Sequence, residues 1–512
     1  MNEGKWIVKQ GVMLTILGVI VSCLSFLKET IFANYFGTTY MADAFTIAIQ
    51  FPEVLFVIVW EGINTILIPL YTDKLYNEGK KAASDFVCNL TTCLLIGIIA
   101  FVIISMKYSY NFISIFSPGL PEKSLILAAS LFRCVVPILF FECCIRICIG
   151  ILNVHNNFAI PRLLNGIRNL VLTIFLVLFA KQYGIFTAAF GFLSGMVIES
   201  IMYLIFTSKY ESYRFYINVK DETLLKACKL VLPVTISMGV MEINQFADKF
   251  IASFFSAGSI SSLNYASKLS SIIQTLILGN IITLVFPMFS KCIAEENKND
   301  LSKLFLRSIN YILLFGIPII FGGTLLRSEI ISIVFERGAF DRESTIIVGN
   351  IFIFYLVGTL FTTLQIISVK LFASLYNTKT PMKYSIVGAA MNIFLNVILA
   401  KCIGLIGLAL ASVLSTMFVS LILIAKLKNI VGIESYRSCY TTFFKSLLSS
   451  VVMCIGIICI RNIFSYNQLL DDIIDKLLFV SLSIVLGIII YGVCLYVFKV
   501  EEVNEMIKHF KL

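Results

Sequence analysis

The sequence predicts an all-α, polytopic membrane protein of about fourteen transmembrane helices, on three observations. Hydrophobic residues make up 59% of the 512 and charged residues only 14%, against about 25% charged in ordinary globular domains; mean hydropathy is +0.94. Apolar runs of about 20 residues, the length that crosses a ~30 Å hydrocarbon core, recur along the whole chain, and no polar stretch is long enough for a separate soluble core. The two halves also repeat each other's landmarks at a nearly constant offset.

In order, the runs fall at about 7–27, 43–71, 85–106, 125–152, 160–180, 184–207, 228–256, 264–290, 304–326, 345–375, 382–400, 404–425, 441–463 and 473–498. The first follows Lys5 and Lys9 but is too long for a signal peptide and lacks a small-residue cleavage site, so it reads as a retained helix. Lys and Arg cluster in alternate connections, at Lys74, Lys80 and Lys81, at Lys209, Arg214 and Lys220, at Lys291 and Lys298, and at Lys426 and Lys428. The positive-inside bias then puts both termini in the cytoplasm. The net charge of +10 is this bias scattered over short loops, which argues against nucleic-acid binding.

At an offset of 218, Thr65-Ile66-Leu67-Ile68-Pro69-Leu70 matches Thr283-Leu284-Val285-Phe286-Pro287-Met288, and Glu78 and Lys80 match Glu296 and Lys298. At 220, Pro161 matches Pro381, Ala180-Lys181 matches Ala400-Lys401, and Gly184 matches Gly404. Six helices per copy is an even number, so the repeat is parallel and its axis lies along the membrane normal, bracketing a central site. The lobes are expected at 1–220 and 221–430, with two extra helices over 431–512 flanking them.

Charges inside apolar runs need a reason, because each costs roughly 2.5–3.5 kcal/mol at the bilayer centre and so faces protein or water. Lys28 and Glu29 end the first run, where an interfacial snorkelling pair is the plain alternative to a binding role, as it is for Lys268 near the start of its run. Asp43 opens the second helix, where a carboxylate complements the helix dipole. Glu53 and Glu61 lie about 80° apart around that helix and can share one cavity-facing stripe. Glu142 and Arg146 are spaced to neutralise each other. Glu242 and Asp248, in the seventh run, can hold a coupling cation.

No Walker A loop, Gly-x-Ser-x-Gly elbow or His-Glu-x-x-His motif is present, so an enzyme and direct ATP drive are not expected. The only histidines are His155 and His509, and the fourteen cysteines sit mostly in apolar runs without zinc spacing; neither a metal site nor a cofactor is expected. Prolines 52, 69, 137, 233, 287 and 318 fall in or beside runs, as bends or hinges.

Several distinct motifs mark the chain: Phe36-Gly37 with Asp43-Ala44-Phe45 and Pro52; Ser117-Pro118-Gly119; Ile151-Leu152-Asn153 with Phe158-Ala159-Ile160-Pro161; and Tyr265-Ala266 ahead of Pro287. Phe335-Glu336-Arg337-Gly338-Ala339-Phe340, Thr378-Lys379-Thr380-Pro381 and Gly407-Leu408-Ala409-Leu410-Ala411 follow. Together they resemble the MurJ/MviN family of lipid-linked peptidoglycan precursor flippases, within the multidrug, oligosaccharidyl-lipid and polysaccharide exporter superfamily.

The resemblance implies two six-helix lobes around a cationic cavity, plus two helices that form a groove for the lipid tail. It implies movement of undecaprenyl-pyrophosphate-linked peptidoglycan precursor (lipid II) from the inner to the outer leaflet by alternating access. The substrate-binding residues would be Lys28, Glu29, Lys268 and Asp43, with Glu61 at the cytoplasmic gate. Glu29 stands where the family has Asp, and Cys23 and Phe56 stand where it has arginines. These departures keep a flippase for another undecaprenyl-linked oligosaccharide, of capsule or O-antigen, as an alternative; a cation-coupled multidrug exporter is a more distant one. The expected setting is the bacterial cytoplasmic membrane, with a monomer driven by Na⁺, H⁺ or the membrane potential.

Overall fold

The computed structural model describes residues 2–155, 157–221, 223–224, 244, 246–433, 435–466, 473–500 and 502–503, without a strand among them. Eleven described helices are long and apolar enough to cross a membrane, or up to twelve when a bent pair is counted as one span. That pair is Glu122–Val135 and Ile138–Val154, bent by 45°. The sequence predicts one span over 125–152; Pro137 breaks it, because proline lacks the N–H that the helix ladder needs. The two expected spans outside this set are 43–71, which lies in a single 38-residue helix, Tyr40–Asn77, and 228–256, most of which lies outside the described residues. Pro52 and Pro69 sit inside that long helix without interrupting it.

The chain divides into two compact units, Met1–Ser261 and Ser262–Leu512. In the first, the helices are α1 (Asn2–Phe36), α2 (Tyr40–Asn77), α3 (Lys80–Lys107), α4 (Ser109–Phe116), α5 (Glu122–Val135), α6 (Ile138–Val154), α7 (Ala159–Leu164), α8 (Ile167–Tyr183) and α9 (Phe186–Thr207). α9 packs on α8 and α6, and α2 packs on α5 and α6. Phe51 of α2 meets Phe116 and Phe132 edge-on, with centroids 4.8 and 5.4 Å apart. In lipid such packing, rather than hydrophobic transfer, holds helices together.

In the second unit, the Arg342–Ser374 and Ile406–Val431 helices pack together around a core that includes Ile312, Leu371, Phe372, Leu423 and Leu427. The two helices outside the repeat, Arg437–Tyr466 and Ile473–Val497, lie against the Lys298–Leu325 helix and the short Arg327–Phe335 helix. Tyr491 donates to the carbonyl of Leu314 (2.8 Å), Lys476 to Ser332 (2.9 Å), and Arg461 pairs with Glu329. Within the Ser259–Ala294 span, a π-helical turn occupies Gln274–Leu278. Nothing in the apolar pattern marks that turn.

The sequence repeat is also a repeat of local structure. Lys80 and Lys298 each open a 28-residue helix, and each of these is followed by a short helix, Ser109–Phe116 and Arg327–Phe335. Gly184 and Gly404 each end a helix with the same backbone, φ 57° ψ −142° and φ 68° ψ −146°, their N–H groups bonded to Ala180 and Ala400. Only glycine is at ease in that region, which costs other residues about 1–3 kcal/mol. An alanine Cβ at Gly184 would meet no atom within 4 Å, so the cost of Gly184→Ala is that of the backbone alone. Gly184→Ala is expected to lower stability by ~1–3 kcal/mol, read as a reduced midpoint of thermal unfolding in detergent; an unchanged midpoint would contradict the positive-φ assignment.

Candidate functional site

Lys28 and Glu29 stand near the end of α1 and pair with each other, Nζ to Oε1 at 2.7 Å. Lys28 keeps 19% side-chain exposure while Glu29 keeps 7%. The cation thus retains an open side and the carboxylate turns inward. Lys268, in the Ser259–Ile273 helix of the chain, is exposed. Glu53 is exposed on α2; the side chain of Glu61, farther along α2, and the whole of Glu242 lie outside the described residues. Asp248 is helical and half-buried, with polar interactions of its own. Cys23 is exposed, and Phe56 packs on Trp60 and Phe101, with centroids 5.5 and 5.1 Å apart.

Asp43 has a different setting from a ligand-binding carboxylate open to solvent. It is 1% exposed, and its oxygens accept the N–H groups of Gly258 (2.6 Å) and Ser261 (2.7 Å). The helix it caps is therefore not its own α2 but the one starting at Ser259. The turn fits because Gly258 has φ +93°, and a Cβ there would sit 2.1 Å from the Thr38 carbonyl oxygen. Gly119, of the Ser-Pro-Gly motif, donates to Ser253 on the same segment (3.2 Å).

Other motifs behave alike. Tyr265 meets Phe335 and Phe340 at 5.1 and 5.6 Å, while Glu336 accepts from Thr345 (2.9 Å). Asp341 caps the following helix, accepting from the N–H and hydroxyl of Ser344, bonds that hold its carboxyl below the ordinary aspartate range. Asn377 accepts from Thr380 in the Thr-Lys-Thr-Pro motif (3.0 Å from the hydroxyl). The most recognisable stretches of the sequence are turn and packing devices.

The structure also assembles an ionic cluster in the first unit from helices α6, α8 and α9. Arg146 donates to Glu142 at 2.7 Å, the neutralisation its spacing predicts. Arg168 stands 3.8 Å from both Glu142 and Glu199, its guanidinium over the Phe192 ring at 5.5 Å. Glu199 is 2% exposed. Sequence reasoning passed over Arg168 and Glu199, although each is a charge within an apolar run. Their partnership joins residues 31 positions apart and needs the fold.

At the other end of α6, His155 stacks on Tyr210, centroids 4.0 Å apart, and contacts the Tyr71 hydroxyl, which donates to buried Glu211. Burial, reinforced by nearby Lys80, holds the imidazole below its ordinary pKa against the opposing pull of Glu211. Among the described residues, no group of three or more His, Cys, Asp or Glu could hold a metal ion.

Comparison with known proteins places this architecture. The family model described as "Lipid II flippase MurJ" matches residues 32–490. A "Probable lipid II flippase MurJ" of Rickettsia prowazekii (strain Madrid E) is 25% identical over 98% of this chain and 99% of that protein. The "Lipid II flippase MurJ" of Thermosipho africanus (strain TCF52B) is 28% identical over 91% of this chain and 92% of its own. Among solved structures, "Lipid II flippase MurJ, inward closed conformation" superposes with a TM-score of 0.82 at 28% identity, over 95% of this chain and 98% of that one. An inward-facing multidrug resistance MATE family transporter of the MOP superfamily has a TM-score of 0.68 at 13% identity, a likeness of fold alone. With nine-tenths of its length matched by one family model, this multi-pass membrane protein belongs to the lipid II flippase MurJ family.

Proposed function

We propose that the chain moves lipid II, a polyprenyl-pyrophosphate-linked sugar, from the inner to the outer leaflet of the bacterial cytoplasmic membrane by alternating access. It does so as a monomer, with both termini cytoplasmic. The observation that carries this reading is the likeness to the lipid II flippase structure over 95% of the chain. The physics is that a charged, sugar-bearing headgroup would lose its water in hydrocarbon, so it needs a polar path while its tail stays in lipid. An inside-negative potential favours outward movement of an anion by about 2.3 kcal/mol per charge per 100 mV.

In this proposal Lys28 and Lys268 supply positive charge to the pyrophosphate. Lys28 is supported by its open side beyond the Glu29 pair, and Lys268 by its exposure. Lysine acts as a compact point charge where arginine would grip bidentately. Glu61 serves at the gate, and Glu242 and Asp248 serve a coupling cation, Na⁺ or H⁺. Asp43 serves as a fastener for the 258–261 turn.

Depleting the native lipid II flippase of a bacterium tests the proposal. This chain is expected to restore growth and outer-leaflet lipid II, and the Lys28→Ala/Lys268→Ala pair to cut that transport at least about tenfold, the equivalent of one charge-assisted hydrogen bond at ~1.5 kcal/mol. Rescue undiminished in the double variant sinks the assigned cations. No rescue, with capsule-sugar export restored in a strain lacking that flippase, transfers the activity to another oligosaccharide lipid; drug resistance on expression would transfer it to small-molecule export.

A further inference from the structure

Arg162, on the short helix α7, lies against Gly18 of α1. A Cβ at Gly18 would meet Nη2 of Arg162 at 2.4 Å, Nε at 3.1 Å and Cζ at 3.2 Å, so the glycine leaves a notch in α1 that the guanidinium fills. The seat is built from both helices. Gly18 is buried, the Ser22 hydroxyl donates to its carbonyl (2.9 Å), and one turn after Arg162 a Cβ at Gly166 would meet Val21 and Leu24 of α1 at 3.2 and 3.3 Å. Arg162 nevertheless stays exposed, and among the described residues it has no hydrogen bond or ion pair.

Its charge is not cancelled nearby. Between Glu142 and Glu199 the chain carries Arg146, Arg162, Arg168 and Lys181 and no carboxylate; Glu142 is taken by Arg146, and Arg168 stands between Glu142 and Glu199. The carboxylates of α1 are Glu3 and Glu29, fifteen and eleven positions from Gly18, hence at least ~16 Å away along the helix axis.

Both helices put the guanidinium at the same end of the membrane. Gly18 falls in the first turn of the Ile16–Phe36 span and Arg162 in the first turn of the Ala159–Tyr183 span, the end that the proposed orientation makes cytoplasmic. Lys28 lies ten residues farther along α1, ~15 Å at 1.5 Å per residue. An arginine in a first turn can snorkel to phospholipid headgroups, but snorkelling needs a free side chain, and this one is fitted into the neighbouring helix.

We propose that Arg162 is a substrate-binding residue, the guanidinium that takes the pyrophosphate of the lipid-linked substrate on the cytoplasmic side before it passes outward toward Lys28. The inference rests on the transport proposed above. Arginine offers paired N–H donors that match phosphate oxygens, while lysine offers a point charge. Cys23 and Phe56 carry no such group, and Arg162 brings one to the side of α1 from another helix.

The test follows retention of undecaprenyl pyrophosphate and of phosphatidylglycerol by the full chain in native mass spectrometry. Arg162→Ala is expected to lower retained undecaprenyl pyrophosphate by roughly tenfold or more, the loss of one charge-assisted hydrogen bond, with phosphatidylglycerol retention and the unfolding midpoint unchanged. Arg162→Lys should fall between, since the charge stays and the fork is lost. Gly18→Ala keeps Arg162 but fills its seat; the clash is with the tip of a flexible side chain, so the helix folds and the guanidinium moves. It should lower pyrophosphate retention by itself and add nothing to Arg162→Ala, the non-additivity of a shared interaction. Equal losses of both lipids in Arg162→Ala overturn the assignment in favour of a headgroup anchor. A loss that tracks a lowered unfolding midpoint overturns it in favour of a structural role, and additive losses with Gly18→Ala overturn the seat. If the parent chain neither retains undecaprenyl pyrophosphate nor rescues the depleted strain, the transport reading falls and the inference with it; a parent that does both, matched by Arg162→Ala, removes Arg162 alone.

Discussion

Arg168→Ala is expected to destabilise the protein by about 2–4 kcal/mol, somewhat below the ~3–5 kcal/mol for breaking a fully buried pair, because Glu199 is buried while the Arg168 side chain keeps 23% exposure. Glu199 is 2% exposed, and one of its carboxylate oxygens has Arg168 as its nearby cation at 3.8 Å with no hydrogen-bond donor in reach. Without Arg168, that carboxylate must take a proton or draw water among the helices. Glu142 keeps Arg146 at 2.7 Å, so the loss falls chiefly on Glu199. The diagnostic is a double variant: Arg168→Met with Glu199→Gln removes both charges at similar volume and should recover most of the loss, since buried pairs replaced together by apolar groups are often neutral. Thermal unfolding in detergent reads all three proteins. Arg168→Ala as stable as the parent, or a double variant no better than the single one, would refute the cluster as a charge-balanced unit.

Asp43→Ala should cost about 3–5 kcal/mol, because it strands two buried donors, the N–H groups of Gly258 and Ser261, at ~1–3 kcal/mol each and more where the acceptor was charged. Asp43→Asn keeps one acceptor oxygen but turns an amide donor toward an N–H, so it should fall between the two. The same variants separate a fastener from a ligand-binding residue. A fastener lowers the unfolding midpoint in the order alanine, asparagine, aspartate. If Asp43→Ala unfolds like the parent yet abolishes transport, the carboxylate touches substrate instead.

Much of the architecture was legible in the sequence because a bilayer imposes simple rules. A span must satisfy its backbone internally, so a run of about 20 apolar residues declares a helix. Glycines and lysines at helix ends recur because the same turn is built twice: Gly184 and Gly404, and Lys80 and Lys298, were matched in the sequence and proved equivalent in the structure. Breaks inside runs were less legible. Pro137 bends its span while Pro52 and Pro69 do not interrupt theirs, because neighbouring helices decide whether a lost hydrogen bond is absorbed or becomes a kink.

The sequence by itself determined the helical class, the order of the spans, the repeat and the family, since these follow from residue-by-residue solvation and from motifs whose members lie close together. Only the tertiary structure decided the partners of charges that lie far apart in the chain. It gave Asp43 to the 258–261 turn, Arg168 to Glu142 and Glu199, and Glu211 to Tyr71. The cost of a charge in hydrocarbon says that each must find company, but electrostatic pairing acts over a few ångströms of space, and distance along a chain of helices carries no information about distance across them.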